Sequence, residues 1–246
     1  MSLKNPRIYS ITGMVFFLLG LAIGLYLWTG TVWADLEGYM FQPAPHADKS
    51  EYFLYCPNLI TSSDFGIVSI GIENNSDKDV RKVVRGNKSL GFVIYVAADE
   101  TSLELKPGES QVVHWYIYPE DAAWDRFVLF RVNIISSVAP ALTTASCGVM
   151  VVNIPFLDSN QLLLGLLLSG FIFISAGIYL KYKSSKLVGD VDYKTERLWI
   201  ILACFLIIGL IFSMFGQWLV GGLLLVVMYL LLVVIITYNI QKSVER

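Results

Sequence analysis

Four apolar stretches of this chain hold no Asp, Glu, Lys or Arg, and between the first and second lies a segment where apolar and polar residues alternate. The stretches at residues 11–29, 161–180, 198–215 and 218–238 each approach the roughly 20 residues that a helix needs to cross about 30 Å of hydrocarbon. They predict four transmembrane helices. In the intervening segment, short runs rich in β-branched and aromatic residues recur at 52–55, 66–73, 91–97, 102–105, 111–118, 126–136 and 146–154. Turn-forming clusters separate them: Asn74-Asn75-Ser76-Asp77, Arg85-Gly86-Asn87 and Lys106-Pro107-Gly108. Val68, Ile70 and Ile72 alternate toward one side, as do Val113, Trp115 and Ile117, and Val128, Phe130, Val132 and Ile134. About seven short strands in some 105 residues is the rhythm of an immunoglobulin-like β-sandwich. The fold class expected is a four-helix transmembrane bundle with that sandwich inserted between spans one and two. The sandwich covers 51–157, after a connector over 30–50 that is punctuated by Pro43 and Pro45.

The basic residues set the orientation, because short loops rich in Lys and Arg remain cytoplasmic. Lys4 and Arg7 precede the first span, Lys181, Lys183, Lys186, Lys194 and Arg197 fill the link over 181–197, and Lys242 and Arg246 follow the fourth span. The opposite flanks, 30–48, 149–160 and Gly216-Gln217, carry none. The N-terminus (1–10), the loop (181–197) and the tail (239–246) are therefore expected in the cytoplasm. Residues 30–160 are expected to be extracytoplasmic, in a multi-pass protein of the plasma (inner) membrane. Trp28, Trp33 and Trp218 fall at the outer interface and Tyr182, Tyr193, Trp199 and Tyr238 at the inner one. Val32 and Ala34 also fit the small-residue pattern of a signal-peptidase site, which would leave three spans. The apolar region is longer than the usual 7–15 residues of a signal peptide, which favours the uncleaved span.

Composition narrows the function classes. A hydrophobic content of 55% fits a membrane protein, and a formal net charge of -2 excludes a broad nucleic-acid surface. Of the three cysteines, Cys56 and Cys147 share the outer segment and are expected to pair, whereas Cys204 lies mid-span as a small packing residue. His46 and His114 lack a second ligand at metal-binding spacing, so no metal and no cofactor is expected. The carboxylates of Asp99, Glu100 and Glu104, and of Glu120, Asp121 and Asp125, do not follow EF-hand spacing and are read as solvated loop residues. Arg131 interrupts an apolar strand, and should either face solvent or pair with one of those carboxylates. Asn74 and Asn87 fit the N-x-S glycosylation pattern.

The turn pattern carries a family resemblance. Residues 72–80 (IENNSDKDV), then 103–110 (LELKPGES) and a strand over 112–118, resemble bacterial and archaeal immunoglobulin-like domains of the CARDB and NPCBM-associated type. In those domains an N-x-G/S turn follows one strand and L-x-P-G-x-S precedes another. The resemblance covers the outer segment alone. It implies the fold and a role in adhesion or assembly, and it carries no functional residues.

Intramembrane ionisable groups usually mark ion and substrate paths, and these spans hold none. They do carry small residues at helical spacing: Gly13, Gly20 and Gly24; Gly165, Ser169 and Ala176; Gly209 and Ser213. Such faces let bilayer helices approach closely, here within the bundle or against a partner. The expectation is a non-enzymatic membrane protein that presents its outer domain to a protein partner, as a scaffold, assembly factor or accessory subunit. The alternatives are a receptor or sensor for an extracytoplasmic ligand and an auxiliary subunit of a transporter or membrane enzyme. The partners expected are the lipid bilayer and one or more proteins of a membrane complex, with no nucleic acid; the sequence names no small-molecule ligand.

Overall fold

The computed structural model describes residues 6–40, 52–91, 96–137, 142–188 and 193–244. Its contacts divide it into a helical unit, 1–32 with 163–246, and a β unit, 33–162.

Four helices, α1 (Pro6–Met40), α2 (Ser159–Val188), α3 (Tyr193–Met214) and α4 (Trp218–Val244), are all long and apolar enough to cross a membrane. Each outruns its apolar stretch. The connector expected from residue 30 is helical as far as Met40, because 30–40 contains no proline and the next helix breaker is Pro43. Hydropathy reports how deep a residue can sit in a bilayer, whereas a helix continues until its backbone is interrupted. Pro6 begins α1 where a missing N–H costs nothing. Between α3 and α4, Gly216 adopts a φ of +67° and its N–H bonds the Ser213 carbonyl at 3.0 Å, while the Gln217 N–H reaches the Phe212 carbonyl at 3.0 Å. That left-handed closure ends α3 and leaves three residues, Phe215 to Gln217, before α4. Phe17, Leu21 and Trp28 of α1 form the centre of the helical core, against Ile174 of α2, Leu206 of α3 and Met228 of α4.

The β unit holds two sheets. One has the order β1-β3-β6 and is antiparallel, formed by β1 (Tyr52–Tyr55), β3 (Gly66–Glu73) and β6 (Ser110–Ile117). The other has the order β2-β8-β7-β4-β5, formed by β2 (Leu59–Thr61), β8 (Leu142–Val152), β7 (Phe127–Ser136), β4 (Val80–Lys88) and β5 (Val96–Leu105). Val68, Ile70 and Ile72 from the first sheet meet Val128, Phe130 and Val132 from the second in one core.

Three strands depart from the sequence expectation, which places none over Val80–Lys88, the range of β4. Arg85-Gly86-Asn87, expected as a turn, lies inside β4, with a register shift between Gly86 and Asn87. The glycine is there for space: a Cβ on Gly86 would lie 2.6 Å from the indole of Trp115. β2 was not expected at all. It is three residues long, wholly buried, and pairs in parallel with Met150–Val152, a partner some 90 positions away that no local pattern announces. The runs expected at 91–97 and 102–105 belong largely to the single strand β5, with 92–95 outside the described residues.

Candidate functional site

Cys56 and Cys147 are bonded, with their Cα atoms 6.6 Å apart and 91 residues between them in sequence. Closing a loop of that length is worth about 4 to 5 kcal/mol in chain entropy. The cysteine at 147 points into the core, so its neighbour at 148 faces the other side of β8. There the segment Trp33–Met40 of α1 lies directly on the strand. A Cβ on Gly148 would overlap the Ala34 carbonyl, and one on Gly38 would lie 2.6 Å from the Cys147 carbonyl. The Gly148 N–H donates to Oδ1 of Asp35 at 3.2 Å. Helix and strand meet backbone to backbone, which two glycines permit.

The acidic residues are not a uniform solvated set. Asp121 is buried at the end of a 3₁₀ turn (Pro119–Asp121), where its Oδ2 accepts from Lys88 Nζ and from the Tyr118 N–H, both at 2.8 Å. Its carbonyl accepts the Ser89 hydroxyl at 2.7 Å, and that hydroxyl oxygen accepts the Leu129 N–H at 2.9 Å. The turn is thereby tied to β7. Glu120, its neighbour, is exposed. Glu100 pairs with Arg85 across β5 and β4 in solvent, a contact worth under about 1 kcal/mol. Arg131 does not stand in solvent; it is buried, with Nε donating to Asn133 Oδ1 at 3.1 Å.

Neither N-x-S asparagine stands free as a loop residue. Asn74 is buried, its amide nitrogen donating to the Lys78 and Leu105 carbonyls while its Oδ1 accepts from Ser76. Asn87 is a strand residue, and Ser89 beyond it is buried. His114 is exposed on β6, and His46 lies outside the described residues. Among the described residues no three His, Cys, Asp or Glu side chains gather as a metal site would require.

In the helical unit the small residues of α1 are contact points. A Cβ on Gly13 would come within 2.9 Å of the Gly177 carbonyl, and one on Gly20 within 2.8 Å of the Gly170 carbonyl. Gly24 fits against Leu206, Gly209 against the ring of Trp28, and the Ser213 hydroxyl bonds that of Thr31. On α2 the close approach is made by Gly170 and Gly177, which spacing alone did not select. Gly165 meets nothing within 4 Å, Ser169 turns its hydroxyl to the Leu166 carbonyl of its own helix at 3.1 Å, and Ala176 is half-buried. Cys204 is exposed on α3 rather than packed. Ser10 accepts from Lys181 Nζ at 2.9 Å and the Pro6 carbonyl from the Ser184 hydroxyl at 2.7 Å, tying the start of α1 to the end of α2.

The feature that no strand pattern singled out is the outward face of the three-stranded sheet. Solvent selects polar residues at such positions, yet Phe53 (71% exposed), Tyr55, Ile67, Val112 (59%) and Tyr116 stand there. Phe65 joins them edge-on to the Tyr116 ring at 5.6 Å. The signal was present in the sequence as apolar residues in both phases of the strands.

No family model and no curated protein matches the chain. Among solved structures, a CARDB domain from Pyrococcus furiosus, determined in complex with di-metal ions, is similar over 42% of this chain and 93% of its own, at 13% identity and a TM-score of 0.34. A β-glucosidase from Listeria innocua is similar over 42% of this chain at 16% identity and a TM-score of 0.30. The GH3 β-glucosidase of Bifidobacterium adolescentis is similar over 41%, at 16% identity and a TM-score of 0.30. The chain spans only 16% and 17% of those two enzymes. The protein is thus defined as four long apolar helices with a β-sheet region that partly resembles a CARDB domain.

Proposed function

We propose that this is a non-enzymatic, multi-pass protein of the plasma (inner) membrane, with both termini cytoplasmic, that presents an extracytoplasmic immunoglobulin-like sandwich for protein–protein contact. It would serve as a scaffold, assembly factor or accessory subunit of a membrane complex. The observation that carries this reading is the unpaired aromatic face of the three-stranded sheet, since large exposed apolar patches on soluble surfaces mark sites of association. The sandwich assignment is supported by two sheets sharing one core, with β1 in one sheet and β2 in the other, parallel to the last strand. Orientation is supported by Lys and Arg clustering on alternate flanks of the spans. A role without catalysis is supported by Asp121, a buried loop carboxylate, whose Oδ2 holds Lys88 and its own turn.

Two measurements test it. Impermeant thiol labelling of single cysteines should reach exposed position 90, near Asn87, and not exposed position 183, beside Ser184; labelling at 183 from outside would refute the topology. Purification from native membranes in mild detergent should retain a bound protein, another copy included, that Phe53→Asp releases. A chain with no associated protein at any detergent strength would refute the interaction role.

A further inference from the structure

The aromatic sheet face has a relief as well as a composition. Across its three strands Phe53 stands opposite Gly71 and Gly71 opposite Val112, while Tyr55 stands opposite Ser69 and Ser69 opposite His114. The central strand therefore offers its two smallest outward residues between two taller rows. With strands about 4.8 Å apart, the rows are roughly 10 Å apart. The floor is open: the nearest atom to a Cβ on Gly71 is the Phe53 carbonyl, at 3.9 Å. A row of bulky side chains lies beside a trough of about the width that such a row fills.

We propose that this trough receives a second copy of the chain, related by a two-fold axis that places the Phe53 and Tyr55 row of each copy in the trough of the other. The proposal rests on the interaction role given above and names its partner. Shape supports it, because a two-fold contact uses one patch twice and so needs a projection and a matching recess side by side. Area supports it too. The rings of Phe53, Tyr55, Phe65, Tyr116 and Tyr118 are each about half exposed or more. At 150–250 Å² per fully covered ring they offer on the order of 500 Å². Ile67 and Val112 bring the patch close to the roughly 800 Å² per side of a standard interface. Charge decides between a like and an unlike partner. From Ile67 to Gly71 and on the residues of β1 and β6 paired with them, His114 is the one outward side chain among Asp, Glu, Lys, Arg and His, while Glu73 lies past one end of the trough and Lys88, over the Tyr118 ring, is paired with Asp121. A charged partner would find no counter-charge there, whereas two copies of a neutral patch do not repel.

The test is the protein mass of the full chain in mild detergent, measured by light scattering and sedimentation over a range of concentrations. A dimer is expected. Phe53→Asp should weaken it at least tenfold, and so should Ser69→Trp, which fills the trough without adding charge. Trp124→Asp, at an exposed ring off the sheet face, should leave the dissociation constant unchanged. A near-ultraviolet circular dichroism spectrum and an unfolding midpoint matching the wild type in each variant exclude misfolding as the cause. A wild-type monomer at every concentration overturns the proposal, as does a dimer indifferent to both face variants. If the wild type is monomeric yet a different membrane protein co-purifies and is lost with Phe53→Asp, the second-copy proposal falls and the interaction role stands. If neither association occurs, both fall.

Discussion

Asp121 and Glu120 are adjacent acidic residues in one short turn, and they should respond to truncation in opposite ways. In Asp121→Ala the protein loses two hydrogen bonds made by one carboxylate oxygen, to Lys88 Nζ and to the Tyr118 N–H, each 2.8 Å long. Hydrogen bonds to charged groups contribute about 1.5–3 kcal/mol each. The Lys88 side chain is 21% exposed and regains some water when its partner goes, so its share falls at the low end. The Tyr118 N–H loses its acceptor at the start of the turn, a loss comparable to that of an N-cap, about 1 kcal/mol or somewhat more. The expected cost is about 3 kcal/mol. Glu120→Ala removes an exposed side chain for which the structure shows no comparable role, and should stay within about 0.5 kcal/mol. Urea unfolding of the full chain in mild detergent, followed by near-ultraviolet circular dichroism, measures both. If Asp121→Ala shifts the unfolding free energy by no more than Glu120→Ala does, the turn is not held by its carboxylate and the reasoning is wrong.

Other outcomes follow from the same geometry. Gly20→Leu and Gly177→Leu should each disrupt packing of α1 against α2, seen as loss of monodisperse protein in detergent, while Gly165→Leu should have no effect; equal behaviour of all three would refute the assigned face. Peptide mass spectrometry without reduction should find Cys56 linked to Cys147 and Cys204 free, and replacing both linked cysteines by serine should lower the stability of the β unit by up to about 5 kcal/mol. Partial burial alone would raise the Asp64 carboxyl, but hydrogen bonds from the Ser159 N–H and hydroxyl and from the Phe65 N–H outweigh it and hold the group below the usual aspartate range. Its contribution is therefore present above the ordinary value of 3.8 and lost as pH falls through the lower folded value. Asp64→Asn should flatten the stability profile in that acid window, and an unchanged profile would show that the bonds do not form.

The sequence by itself determined the helices and much of the sheet interior. A run of twenty uncharged residues has one low-energy form in hydrocarbon, and alternation at Val68, Ile70 and Ile72 or at Val128, Phe130 and Val132 leaves one face for the core. Both signals are local and lie in side-chain polarity. The elements it misplaced depend on distant partners. Gly86 reads as a turn residue until Trp115 is seen to need the space above it. β2 has no signal without β8, and Asp121 is indistinguishable from Glu120 until Lys88 is brought beside it from 33 residues away. On α2, Gly165 and Gly170 are equal as letters; the antiparallel pairing of α1 with α2 sets Gly170 opposite Gly20 and Gly177 opposite Gly13, and leaves Gly165 exposed. The trough on the three-stranded sheet belongs to the tertiary structure as well. Its floor and its two rows come from three strands far apart in the chain, and register alone aligns Gly71 between Phe53 and Val112. Local polarity dictates what a residue can tolerate, and only the closed fold decides which neighbour it meets.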